Sequence, residues 1–307
     1  MRKGLLIWAI LMWQIAAAQR PVALLETKGY TFPAALDASS NEIPEVTVAF
    51  QIVDGLLVVE AQADGVKGRY LLDTGAPTLV LHQQENTSGD VSARGITGEV
   101  TAAAAQIDRF EWAGQIIKKP AALSLDISHL QEDLQMPLAG LIGYDVLKNA
   151  ELFADVNNGQ LQLFPTRKSD LHRLYTPLAV IPFDMAEHLP VITIQIKGRS
   201  FRMILDTGSG ANLLDHGMGE WLLQSGYSIC GTETLQGLNG NIQRSDIFAV
   251  PQSSSGNFNM QDLRFSLSDM QTLSQHLGQQ VDGILGFPFL KTGRFSINYQ
   301  RKELYVW

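Results

Sequence analysis

Apolar and polar positions alternate over short distances along most of this chain. Val191-Ile-Thr-Ile-Gln-Ile196 and Phe201-Arg-Met-Ile-Leu205 are typical: brief, β-branched or alternating runs with turn residues close on either side. This pattern predicts a mostly-β protein. Few stretches suit a helix: Ser128 to Leu134, Met218 to Ser225, Leu267 to Leu277, and the residues after each of two late Gly-apolar-apolar-Gly segments. The first residues differ from the rest. Met1-Arg2-Lys3 precedes an apolar run from Gly4 to Ile15 and then Ala16-Ala17-Ala18, the order of a signal peptide over 1–18 cleaved after Ala18. The run is too short for the roughly 20 apolar residues of a spanning helix. A secreted or periplasmic protein with no membrane span after cleavage is therefore expected. Residues 19–45 hold Pro21, Pro33, Pro44 and a polar run from Asp37 to Glu42, and read as an N-terminal arm, irregular or edge-stranded, with no visible function.

The pattern also repeats. Gly68-Arg-Tyr-Leu-Leu-Asp-Thr-Gly-Ala-Pro-Thr-Leu-Val-Leu81 has a partner in Arg199-Ser-Phe-Arg-Met-Ile-Leu-Asp-Thr-Gly-Ser-Gly-Ala-Asn-Leu-Leu214. Later, Gly140-Leu-Ile-Gly-Tyr-Asp-Val-Leu147 is echoed by Gly283-Ile-Leu-Gly-Phe-Pro-Phe-Leu290. Each half then closes on two short strands around a polar turn, Leu152 to Phe164 and Phe295 to Trp307, the first with the hairpin signal Asn158-Gly159. Pro165 to His172 is polar and suits a linker. The expected division is 46–165 for the first unit, 166–177 for the linker and 178–307 for the second.

Composition narrows the function. With 45% hydrophobic and 18% charged residues among 307, the chain has the make-up of a packed globular protein. Its formal charge of −8 and the absence of any Lys/Arg run argue against nucleic acid as a partner. A single cysteine, Cys230, rules out an internal disulfide framework. The six histidines show no metal-binding spacing, and neither a serine-hydrolase elbow nor a dinucleotide fingerprint is present, so no metal or cofactor is expected. Trp112, Trp221 and Trp307 are scattered as core residues would be.

Two Asp-Thr-Gly turns carry the chemistry. An aliphatic strand ending in Asp-Thr-Gly sets an acid at the mouth of a β-loop, and Gly75 and Gly208 permit the tight turn. One such tripeptide is expected roughly 0.06 times by chance in a chain of this length, so two at matching places in a repeat are informative. If the halves pack about a pseudo-twofold axis, Asp73 and Asp206 face each other and share one proton. The ionised member then draws a proton from water attacking a peptide carbonyl, while the protonated one serves the developing oxyanion. Thr74 and Thr207 are placed to bond across the axis and fix the loops. Ser209 follows one motif where Ala76 follows the other. A donor at Ser209 would make Asp206 the more easily ionised member.

On these motifs, over roughly residues 46 to 307, the chain resembles the pepsin and retropepsin clan of aspartic peptidases, and most of all bacterial retropepsin-like proteins with two units in one chain. The resemblance implies a bilobal acid-protease fold: two pseudo-twofold-related, β-barrel-like lobes with a few short helices, and a cleft for an extended peptide or protein substrate. It also implies that the late glycine segments thread behind the catalytic loops, and that a hairpin flap closes the cleft. Gly95-Ile-Thr-Gly98 and Gly237-Leu-Asn-Gly240 are the flap candidates, and neither has the tyrosine of pepsin-like flaps, which favours a retroviral-style glycine flap. The expected function is aspartic endopeptidase, with a monomer sufficient because both units lie in one chain. The alternative is a catalytically silent peptide-binding or inhibitory protein on the same fold.

Overall fold

The computed structural model describes residues 19–27, 46–85, 87–166, 170–291 and 293–307. The signal-peptide reading of 1–18 and most of the N-terminal arm lie outside these residues. None of the described helices is long and apolar enough to cross a membrane. Strands dominate, as the short alternating runs require, and they assemble into two sheets.

One local arrangement occurs twice. Strand Val66–Leu72 runs directly into Asp73, and strand Gly140–Ile142 lies beside it in parallel, with Ile142 opposite Leu72. Gly140–Ile142 also pairs antiparallel with Leu79–His82, the strand that leaves the loop. In the second half, Arg199–Leu205 runs into Asp206, Gly283–Leu285 lies parallel to it with Leu285 opposite Leu205, and Leu213–Asp215 flanks the other side. The Gly-apolar-apolar-Gly segments are thus three-residue strands threaded between the two arms of each aspartate loop. Short helices Tyr144–Leu147 and Phe287–Leu290 follow them.

The halves share a sheet. Strand Ala150–Asp155 of the first pairs antiparallel with Arg294–Asn298 of the second, and the row continues through Glu303–Val306 to Ala179–Pro182 on one side and Gln160–Pro165 to Thr47–Val53 on the other. Glu151, fully buried in this sheet, accepts hydrogen bonds from Ser296 Oγ (2.6 Å) and Asn298 Nδ2 (3.0 Å) and lies 2.7 Å from His172 Nε2. His172 belongs to helix Asp170–Leu174, an element the polar composition of the linker did not announce. Its ring packs on Tyr305 and Trp307 at 4.2 and 5.1 Å between centroids.

Two expectations are refined by local chemistry. The helix expected from Leu267 begins only at Gln271, because the strand Phe258–Ser268 runs through Leu267 and the Asp269 carboxylate takes the N–H of Gln271 (2.9 Å). The hairpin at Asn158-Gly159 forms, but over a wider turn than a two-residue type I′. Gly159 alone of the two has positive φ (+62°), while Asp155 accepts from both the backbone and the side chain of Asn158.

Candidate active site

Each aspartate is fixed by the strand threaded behind it. The N–H of Asp73 donates to Ile142 O and that of Asp206 to Leu285 O, both at 3.0 Å. The second glycine of each late segment explains itself here: a Cβ on Gly143 would overlap the carbonyl oxygens of Thr78 and Ala76, and one on Gly286 those of Ala211 and Ser209. Only hydrogen fits between the strand and the loop it supports.

The two loops interlock. The Thr74 N–H donates to Thr207 Oγ1 (3.0 Å) and the Thr207 N–H to Thr74 Oγ1 (2.9 Å), while the two hydroxyls donate onward to Leu205 O (2.9 Å) and Leu72 O (2.7 Å). Each threonine therefore anchors itself in the opposite half, and all four groups are buried. A Cβ on Gly75 would meet the Asp206 carboxylate, and one on Gly208 the Asp73 carboxylate. The Oδ1 of each aspartate accepts from the glycine of its own loop at 2.8 Å. No N–H or hydroxyl of the described residues donates to either Oδ2.

Burial governs the charges. Neither carboxyl has any solvent exposure. Burial first, then the neighbouring Asp206 charge, holds Asp73 well above the usual carboxylate range. Burial raises Asp206 to about 6, opposed by the Gly208 N–H, by the hydrogen bond from Asp73 and by the Gly75 N–H. Asp206 is thus the more acidic of the pair, though not through Ser209, whose hydroxyl donates to Ala211 O (2.7 Å) and ties its own loop. Ala76 is buried against the first-half core. Two further groups that no sequence signal identified stand close by. Tyr299, packed on Tyr144 at 5.0 Å, has its hydroxyl pushed up by burial and by the charges of Tyr144, Asp73 and Asp206. His188, whose Nε2 lies 3.2 Å from Gly75 O, is held down to about 4 by burial.

Residues 23–27 lead where no function was read in the sequence: across the dyad. Strand Gln19–Val22 pairs parallel with Ile229–Gly237, so the arm begins as the edge strand of the second half's sheet. It then passes over both loops. Pro21 O accepts from Gly210 N (2.8 Å), Ala23 N donates to Gly208 O (2.9 Å) and Leu25 N donates to Gly75 O (3.1 Å). Glu26 exchanges two backbone hydrogen bonds with Arg94 (2.7 and 2.8 Å). Val22 through Glu26 have no exposed surface.

The four glycines proposed for flaps lie at two hairpin tips. Gly95 ends strand Thr87–Gly95 and Gly98 begins Gly98–Ala105, leaving Ile96 and Thr97 as the turn. Gly237 ends Ile229–Gly237, and Gly240 falls in the turn before Ile242–Ser255. The tips meet each other. Thr97 Oγ1 donates to Asn239 Oδ1, and Asn239 Nδ2 (3.2 Å) and Asn241 Nδ2 (3.4 Å) donate to Thr97 O. Each tip also reaches the other half's core: Ile96 packs with Leu24, Leu213 and Leu235, and Leu238 with Leu25, Val80 and Leu141.

Two groups of side chains among the described residues bring potential metal ligands together, Glu26/Glu187/His188 and Asp215/His216/Asp269. In the second, the Asp215 oxygens already accept from the N–H groups of Gly217 and Met270 (both 2.9 Å), a structural use.

A strand-borne Asp-Thr-Gly loop with a threaded glycine strand behind it is found at Asp206, within the segment that a comparison with known families identifies. Residues 192–289 match the aspartyl protease family. The aspartyl protease match begins in strand Leu189–Ile196, takes in the Asp206 loop and the hairpin at Gly237, and ends in helix Phe287–Leu290. It covers about a third of the chain, all of it in the second half. No curated protein matches the chain. The aspartyl protease match and the β-rich fold support a hydrolase of the retropepsin-like clan.

Proposed function

We propose that this chain is an aspartic endopeptidase of two pseudo-twofold-related lobes, hydrolysing extended peptides with Asp73 and Asp206. The reading rests most on one observation: two buried carboxyls from loops that interlock through Thr74 and Thr207, each with one oxygen held by a glycine N–H and the other unbonded by the protein. Two acids so placed share a proton, because two charges at that separation without solvent are costly. The ionised member, Asp206 by its lower pKa, accepts a proton from a water as its oxygen attacks the scissile carbonyl carbon. Asp73, protonated, donates to the carbonyl oxygen as it gains charge, and the leaving nitrogen recovers a proton from the pair. The reading includes export with cleavage after Ala18, a monomer, and closure over the peptide by the hairpins at Gly95–Gly98 and Gly237–Gly240.

The test is hydrolysis of a mixed peptide library from about pH 3 to 7 by the purified chain and by Asp73→Asn and Asp206→Asn. We expect statine-sensitive turnover that rises with pH through about 6, where Asp206 ionises, and loss of turnover in both variants. Turnover that survives either single change refutes the shared pair. A chain that binds the library without cleaving it at any pH is the silent peptide binder instead.

A further inference from the structure

Beside the first aspartate loop, metal-ligating side chains from distant parts of the chain converge. Glu26 comes from the arm, and Glu187 and His188 from the turn between strands Asp184–Ala186 and Leu189–Ile196. The donor atoms of these three lie within 4.8 Å of one another. His276, in helix Gln271–Leu277, adds a second imidazole, its Nε2 3.9 Å from Glu26 Oε2. Glu26 is fully buried and His188 nearly so (7% exposed), whereas Glu187 is exposed, so the group meets solvent at Glu187. No histidine spacing announces this group, because Glu26 stands far along the chain from the turn that completes it.

His188 is set as a ligand. Its Nε2 lies 3.2 Å from Gly75 O, a carbonyl that can only accept, so the proton of the neutral ring is on Nε2 and Nδ1 presents a lone pair. That Nδ1 is 4.0 Å from Glu26 Oε1, beyond hydrogen-bond reach. The separation suits an ion between them. Ligand atoms each about 2.1 Å from a zinc ion stand about 3.4 Å apart at the tetrahedral angle and about 4.2 Å apart when opposed. Glu187, on a turn at φ +55° and exposed, has the freedom to supply a third ligand. The charges agree: two carboxylates and a neutral imidazole are offset by one divalent cation.

We propose that Glu26, Glu187 and His188 bind one divalent first-row metal ion, leaving a fourth position for water on the solvent side. An imidazole among the donors selects zinc over the hard cations calcium and magnesium, which take oxygen ligands. His276 faces the other oxygen of Glu26 and orients that carboxylate, as the partners of ligating carboxylates do. The ion is structural. Through Glu26 it fastens residues near the start of the chain to the turn at Glu187 and His188, and through His188 it reaches the carbonyl of Gly75 in the Asp73 loop. It takes no part in peptide hydrolysis, so the site stands whether or not the Asp73–Asp206 pair turns over.

The experiment takes the full chain, purified without a histidine tag and stripped with EDTA, and titrates it with Zn²⁺ by calorimetry while thermal unfolding is followed in parallel. We expect one equivalent to bind and to raise Tm, and Ca²⁺ and Mg²⁺ at the same concentration to do neither. Glu187→Gln, a change at an exposed side chain, should fold as the parent does and weaken zinc binding at least about ten-fold, with His188→Gln doing the same. His216→Gln, in the other group of potential ligands, should leave both readouts unchanged. The proposal is overturned if zinc does not bind, if a folded Glu187→Gln binds it as the parent does, if binding is lost in His216→Gln instead, or if Ca²⁺ binds in preference to Zn²⁺. None of these readouts depends on peptide hydrolysis, so the peptidase reading stands or falls separately.

Discussion

An ionised Asp206 with no solvent around it is held at a cost that the unfolded chain escapes, and the sign of that cost can be worked out. Its pKa is about 6 folded against an ordinary 3.8, so the raised value contributes stability only at low pH, where both states are protonated, and that contribution is lost as pH rises through 6. At pH 7 the penalty is about 3 kcal/mol, the shift of roughly two units converted at ~1.36 kcal/mol each. Asp206→Asn keeps an oxygen for the Gly208 N–H and removes the charge. We expect it to raise stability to urea at pH 7 by up to that amount, with the gain fading between about pH 6 and 4, while turnover is lost. A variant less stable than the parent at pH 7 contradicts this. The two aspartate loops were legible because strand-ending Asp-Thr-Gly is rare and occurs twice. The direction of the Ser209 hydroxyl was not legible. It depends on a rotamer choice between Asp206 and Ala211 O, two acceptors within three residues of it. Tyr299 and His188 reach the site from more than ninety positions away from at least one of its loops and carry no local pattern.

Elements were readable where their pattern is local. The threaded three-residue strands at Gly140 and Gly283 are too short to show a period, yet their paired glycines marked them, since each glycine sits where backbone oxygens leave no room for a Cβ. The arm over residues 19–27 was opaque for the opposite reason. Its prolines and mixed composition suit irregular chain, and only the partners it finds 50 to 215 residues later make it a strand. The hairpins raise a question of coupling. Thr97 and Asn239 join the tips, and Asn239→Ala removes both the bond from Thr97 Oγ1 and the one that Asn239 Nδ2 gives to Thr97 O, whereas Thr97→Ala removes only the first. We expect Thr97→Ala to raise KM for library peptides about five-fold, the equivalent of one ordinary hydrogen bond of ~1 kcal/mol, Asn239→Ala to raise it further, and the double variant to be no worse than Asn239→Ala. Additive losses in the double variant show that the two tips act separately.

Across the whole molecule, the halves are joined by strands rather than by the linker alone, and Glu151 is the polar centre of that junction. Glu151→Ala strips Ser296, Asn298 and His172 of their common acceptor inside the shared sheet. A loss of about 3 kcal/mol in denaturant unfolding is expected, as for other buried charged groups left without a counterpart. A change under about 0.5 kcal/mol, the scale of a surface substitution, shows that the cluster is dispensable. The twofold repeat announced two units, but it did not announce that Arg294–Asn298 would complete the first unit's sheet, because sheet partners between halves leave no mark on either strand's own sequence. The exchange of threonine contacts between the aspartate loops has a consequence for how such a chain is made. Asp73 emerges during synthesis 133 residues before Asp206, and its loop, though backed by the strand at Ile142, lacks the bonds at Leu72 and Thr74 until Thr207 arrives. A half-made chain therefore carries one acid of the pair without the other, and the two buried carboxyls come together only once the second loop and the strand Gly283–Leu285 behind it are in place.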